Sequence, residues 1–200
     1  MILTVKKTRG MPDWNLTSWQ NLVQVGGRKS PYLTRAKILY SATGTYFFVE
    51  CEDKIINCTY KQNLAPLFQE DVVEIFLQPN ASQPIYFEYE ISPLGFELPL
   101  LIVNNQGQFK GWQPWSNSSK IIKQTKIIDT DKGKFWTLEI FIPFSFLTGL
   151  SNNPPKSGDI WKGNINRIDY DRLPRAKWAL FPKVKGKFHD YRHFGIFSFE

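Results

Sequence analysis

The chain has 200 residues, of which 42% are hydrophobic and 16% aromatic; that length suits one all-β domain, and that composition excludes a disordered tail. No apolar run approaches the ~20 residues of a membrane-spanning helix, so no membrane partner is expected. The net charge of +7 is segregated: residues 1–37 hold seven basic side chains and one acid, residues 38–109 two and nine, and residues 110–200 sixteen and eight. The acidic middle third would repel a phosphate backbone, which argues against nucleic acid.

The N-terminus, MILTVKKTRGMPDW, has no apolar core of signal-peptide length after its positive charges. Two compartments stay open: the cytoplasm, or an exterior reached with a signal since removed. Residues 1–34 are expected to be an extension packed on a single domain spanning 1–200. Period-2 alternation then predicts strands at Lys37 to Tyr40 and Tyr46 to Cys51, turning at Ala42-Thr43-Gly44. Asp71 to Leu77 and Ile85 to Ile91 follow, the second ending at Ser92-Pro93-Leu94-Gly95. Phe96 to Val103 continues as a strand, with Pro99 pointing to an edge or a bulge. After a turn at Asn104 to Gly107, Ile121 to Asp129 and Phe135 to Ile142 read as a hairpin around Asp131-Lys132-Gly133. A helical turn is expected at Phe144 to Leu147, and Trp161 to Asp169 and Phe194 to Phe199 complete the series. Many short strands separated by turn signals predict a sandwich or a barrel.

Side chains alternate between the two faces of a strand. Glu88 and Glu90 therefore share one face, and Glu74 joins them if its strand pairs with theirs. The bland interpretation is a solvated sheet surface. The chemical one is recognition of hydroxyl groups: carboxylates accept hydrogen bonds from vicinal hydroxyls, Asn and Arg donate, and aromatic rings cover apolar C–H faces. Asn164, Asn166, Arg167 and Asp169, with Trp178 nearby, extend the same residue set.

Other chemistry has less support. Glu88 and Glu90 could approach the carboxylate spacing of a glycosidase, but strand geometry alone brings them together. No G-x-S-x-G occurs, and nothing marks a base for Cys51 or Cys58. Those cysteines do not have the spacing of a metal motif; either they pair across a short loop or they are small core residues. His189 and His193 lie in FHDYRHFG, which reads as a loop entering the last strand rather than a helical metal site.

The stretch LAPLFQEDVVEIFLQP followed by YFEYEISPLG resembles the family 9 carbohydrate-binding modules and their stand-alone relatives. So do GWQPW at 111–115, FWTLEIFIPFSFL at 135–147, GNINRIDYD at 163–171 and the closing HFGIFSFE, in the family's order over roughly residues 35–200. The resemblance implies an all-β, antiparallel β-sandwich of jelly-roll-like form whose concave sheet binds sugar without catalysis. It also implies a carbohydrate ligand such as a mono- or oligosaccharide or a polysaccharide chain end. Service to xylan and other polysaccharide degradation follows from the same resemblance, as does structural calcium; a monomer is expected separately. Glu74 matches the acid of the family's D-x-V-E-I-F strand, and Trp178 matches a late Trp that clamps the sugar. Asn166 and Arg167 fall in the matching polar strand, and Glu88 would join them in binding hydroxyls. Phe68 stands where relatives often carry Trp, so Trp112 or Trp115 could supply the second aromatic wall. Asp53, beside Glu52, is the candidate calcium ligand. A glycoside hydrolase using paired glutamates, or an interaction sandwich that has lost sugar binding, are the alternatives.

Overall fold

A computed structural model describes residues 1–200 other than Gly107 and Lys132. The expected turns at Asn104 to Gly107 and Asp131 to Gly133 lie partly outside the described residues.

Among the described residues the chain forms fourteen strands. The first five are β1 (Ile2–Lys7), β2 (Gln20–Asn21), β3 (Val23–Gly26), β4 (Thr34–Tyr40) and β5 (Gly44–Asp53). The middle set is β6 (Val72–Gln78), β7 (Ile85–Ile91), β8 (Glu97–Asn105), β9 (Gln108–Pro114) and β10 (Ile122–Thr130). The last four are β11 (Gly133–Pro143), β12 (Ile160–Asp169), β13 (Ala176–Ala179) and β14 (Gly195–Phe199). Helical structure among the described residues is limited to short 3-10 turns, including Phe144–Leu147. No helix among them is long and apolar enough to cross a membrane.

The hydrogen-bonded order is β10-β11-β5-β4-β1-β14-β12-β6-β7-β8-β9, with β13 bridging β12 to β3 and β2 pairing with β4. One correction to the expected antiparallel sheet lies at its centre. β1 runs parallel to both neighbours, pairing Ile2 to Val5 with β14 and Lys6 and Lys7 with β4. A strand that changes partner midway joins two otherwise antiparallel halves into one curled mixed sheet. It also places residues from the expected N-terminal extension inside the sheet.

The two halves bury their inner faces against each other. Val73, Ile75 and Leu77 of β6 share a core with Phe47 and Val49 of β5 and with Leu138 and Ile140 of β11. Cys51 sits in this core as a free thiol, pushed up to about 12 by burial, and Cys58 is also free. β6 is buried along its whole length, because its other face is covered too. There Val72, Phe76, Tyr86, Leu100 and Ile168 pack with Phe188 and Phe194 from the C-terminal loop. The face carrying Glu74, Glu88 and Glu90 is therefore not the solvated surface that alternation alone allows.

The β7–β8 connection sets the register of β8 against β7. Gly95 at φ +83° donates its N–H to the Ser92 carbonyl at 2.9 Å, a turn geometry that L side chains rarely adopt.

Candidate functional site

Antiparallel pairing places Glu74 opposite Glu90 on β7 and opposite Asn166 on β12. Directly opposed residues project from the same face, so one row across three strands reads Asn166, Glu74, Glu90. Glu88 lies two residues away on that face, opposite Phe76. Carboxylate oxygens of Glu74, Glu88 and Glu90 come within 4.8 Å of one another. They open into a pocket of about 500 Å³, within the ~300–1,000 Å³ range of small-ligand sites. Phe68, Trp112, Phe109 and Phe188 form aromatic parts of its wall.

The three glutamates are 1–3% exposed. Burial disfavours the charged form of a carboxylate. Glu74 is accordingly pushed up to about 7, although the nearby Lys177 and Arg175 pull the other way. Glu90 rises to about 9 through burial and the charge of Glu74. Glu88 is held well above the carboxylate range by burial and by both neighbours, and as the neutral acid it hydrogen-bonds to Glu90. One oxygen of Glu90 accepts the Phe68 backbone N–H at 3.0 Å. Glu88 Oε2 is buried without a hydrogen-bond partner among the described residues. A buried acceptor left unpaired costs free energy, and a donor arriving from a ligand would relieve it.

Across the pocket, His189 Nδ1 is hydrogen-bonded to the Tyr86 hydroxyl at 2.7 Å and lies 3.8 Å from Glu88. Burial and Lys177 pull this histidine down to about 4, so it is a neutral hydrogen-bonding group near neutral pH. His193 points elsewhere and pairs with Asp190 at 2.8 Å.

The residues named from sequence divide between two faces. Phe68, Glu74, Glu88 and Trp112 line the pocket. Asn166 is fully buried beside Glu74, and neither its Oδ1 nor its Nδ2 has a partner among the described residues. Arg167 and Trp178, opposed to each other in register, fall on the opposite face. Odd residues of β12 face the core shared by the two halves of the sheet, so Arg167 cannot reach the pocket. Its guanidinium lies over the Trp136 and Trp178 rings, at 5.7 and 5.0 Å. Trp178 is 2% exposed. Trp178→Ala is therefore expected to act on the fold, costing ~3–5 kcal/mol as a large-to-small core change. Thermal unfolding would check this, and an unchanged midpoint would return Trp178 to the ligand face. Trp112 is half-exposed at the pocket, whereas Trp115 packs on the core and donates Nε1–H to the Phe146 carbonyl at 2.7 Å.

Asp53 also belongs to the inner face. It clusters with Asp169 and Asp171, a grouping with the right atoms for a metal. Donors already meet those oxygens. Arg167 Nη2 lies 2.9 Å from Asp53 and 3.3 Å from Asp169, and Arg28 pairs with Asp169 and lies 3.7 Å from Asp171. Asp53 further accepts from Trp136 Nε1 at 3.2 Å and from the Lys54 N–H at 2.7 Å. Calcium prefers several free oxygen ligands, and with guanidinium groups in those positions the Asp53 set does not fit it.

Sequence reading missed Phe109, Arg175, Lys177, Lys187 and Phe188, which also line the pocket. β9, which carries Phe109 and Trp112, is interrupted by Gly111 and ends in Pro114, so its alternation is weak. Arg175 and Lys177 lie just before and on the short β13, and Lys187 and Phe188 lie on a loop whose basic run, KVKGKFHDYRH, was the available signal.

Comparison with known proteins follows the same lines. The model of the family described as carbohydrate family 9 binding domain-like matches residues 12–198. No curated protein matches the chain in sequence. Among solved structures, a candidate carbohydrate-binding protein from Bacteroides uniformis ATCC 8492 superposes with a TM-score of 0.78 at 18% identity, covering 100% of this chain and 99% of that one. A family 9 carbohydrate-binding module from Caldicellulosiruptor kristjanssonii in complex with glucose gives 0.72 at 17% identity, covering 100% and 96%. The same organism's module in complex with cellotriose gives 0.70 at 17%, covering 100% and 94%. At these identities the structures speak to the fold, and the family match speaks to membership. The chain belongs to the carbohydrate family 9 binding domain-like family.

Proposed function

We propose that this chain binds carbohydrate without transforming it, using the pocket over Glu74, Glu88 and Glu90. In this reading the domain is a jelly-roll-like sandwich whose concave sheet takes a monosaccharide or a chain end, and it acts as a monomer. The observation that carries the reading is the row of glutamates from β6 and β7, buried yet open to an aromatic-walled pocket. Deep carboxylates accept from sugar hydroxyls, and Phe68, Trp112, Phe109 and Phe188 cover the apolar ring faces. The glucose- and cellotriose-bound family modules of the same fold support a sugar of this kind.

Hydrolysis is the weaker reading. A glycosidase places its two carboxylates on either side of the scissile bond. Glu88 and Glu90 stand side by side on one strand, and both would meet the sugar from the same side. The Asp53 cluster, already bound by arginine, gives calcium no part in this proposal.

Calorimetric titration with glucose, cellotriose and xylo-oligosaccharides, in EDTA and in excess calcium, tests the proposal. Millimolar-to-micromolar binding of at least one sugar, equal in both buffers, is the expected result. Silence toward every sugar from a cooperatively folded sample would overturn carbohydrate binding. A calcium requirement would overturn the assignment of the Asp53 cluster to arginine.

A further inference from the structure

The segregated charge of the sequence meets at the pocket. β6 and β7, from the acidic middle third, supply Glu74, Glu88 and Glu90 at its depth. The basic last third supplies Arg175, Lys177, Lys187 and Arg192. Lys187 and Arg192 are exposed, and Arg175 and Lys177 are half-buried. The pocket is therefore acidic at depth and basic at its mouth.

Few of those cations have an anionic partner. Arg192 is paired with Asp190 at 3.0 Å. Arg175, Lys177 and Lys187 form no salt bridge among the described residues. Arg175 lies over the Tyr170 ring at 5.4 Å. Lys177 donates to the Gly186 carbonyl at 3.1 Å and lies over the Phe188 ring at 5.3 Å. Odd residues around β13 project from the face of Ile168, which itself lines the pocket, so Arg175 and Lys177 stand on one wall. Lys187 reaches the pocket from the loop that also carries Phe188. A neutral sugar would bring this group of three no counter-charge beyond the buried Glu74, which acts on Lys177 and Arg175 from the pocket floor.

We propose that the pocket prefers an anionic saccharide, one whose hydroxyls meet the buried glutamates and whose carboxylate or sulfate meets Arg175, Lys177 and Lys187 at the mouth. This rests on the carbohydrate reading above. The protonation of the glutamates supports it. Burial holds Glu88 and Glu90 toward the neutral acid, which leaves Glu74 as the deep carboxylate that ionises near neutral pH and lessens the repulsion an anion meets there. A cluster of cations around a partly dry cleft raises the local concentration of anions, and salt screens the attraction over ~10 Å at 0.1 M.

The test compares methyl glucoside, methyl glucuronide and methyl glucoside 6-sulfate by calorimetric titration at low and high salt. At low salt at least one anionic sugar is expected to bind roughly tenfold tighter than the neutral one, with the ratio shrinking at high salt. The arm with the higher affinity distinguishes uronate from sulfate. In an Arg175→Gln/Lys187→Gln double variant the anionic-to-neutral affinity ratio is expected to fall to roughly 1. Neutral sugar bound as tightly as both anionic sugars would overturn the proposal and leave carbohydrate binding standing. A ratio unchanged in the double variant would overturn it too. No binding of any of the three by folded protein would overturn both.

Discussion

Arg167→Met is expected to lower stability by ~3–5 kcal/mol, the cost of stranding buried charges after one partner is removed. For a chain of this size that is a fall of roughly 6–20 °C in the unfolding midpoint. Arg167 is fully buried, and its guanidinium gives Nη2 to Asp53 and Asp169 and Nη1 to the Thr34 hydroxyl and the Glu52 carbonyl, the latter at 2.6 Å. Asp53 and Asp169 come from strands in different halves of the sheet. Without the cation, two carboxylates would face each other in a dry core. Asp53 is already raised to about 6 by burial despite Arg167, so removing the arginine drives it further toward the neutral acid. Adding Asp53→Asn to Arg167→Met should recover part of the loss, because one stranded charge disappears. Thermal and denaturant unfolding measure both variants. Lost sugar affinity at wild-type stability would instead place Arg167 on the ligand face.

Glu74→Gln is expected to move binding and stability in opposite directions. Above about pH 7 Glu74 is a charged acceptor; hydrogen bonds to such a group are worth ~1.5–3 kcal/mol, so sugar affinity there should fall roughly 10- to 150-fold. Stability above neutral pH should rise. The carboxyl of Glu74 ordinarily titrates near 4.5 and is held near 7 in the fold. Between those values the folded chain holds a proton that the unfolded chain has lost. Stability from this group is therefore greatest below about pH 4.5 and declines as pH rises through about 7. Glu90, raised to about 9, extends the decline further into alkaline pH. Glutamine cannot ionise, so the variant should show a shallower fall in stability between about pH 5 and 8. Unfolding midpoints across that range, with sugar titrations on the alkaline side of it, where Glu74 is ionised, separate the two effects. Parallel pH profiles for variant and wild type would show that burial does not raise the Glu74 carboxyl.

The sites most sensitive to mutation thus lie on opposite faces of neighbouring strands. Alternation gave part of that division: Glu88 and Glu90 share one face of their strand, and Asn166 and Arg167 take opposite faces of theirs. It could not say which face of β12 was which. Asn166 and Arg167 are adjacent in sequence, so only one of them can share a face with Glu74. Pairing in the fold selects Asn166, and Arg167 turns inward with Trp178. Burial was equally out of reach. An acid alternating with apolar residues looks the same on a wet face as on one roofed by Phe188 and Phe194, and that roof comes from the far end of the chain.

What the sequence determined by itself is what local chemistry encodes. Period-2 alternation marked most of the long strands, and Gly95 closed the turn after β7. The ordered motifs marked the family, and the acidic and basic thirds were plain in the residue counts. Only the tertiary structure decided the parallel placement of β1, the short strands β2, β3 and β13, and the meeting of those charged thirds at one pocket. The physical reason is range. Alternation and turns are set by neighbours within a few residues. Strand partner, buried face and charge pairing depend on groups brought together from distant parts of the chain.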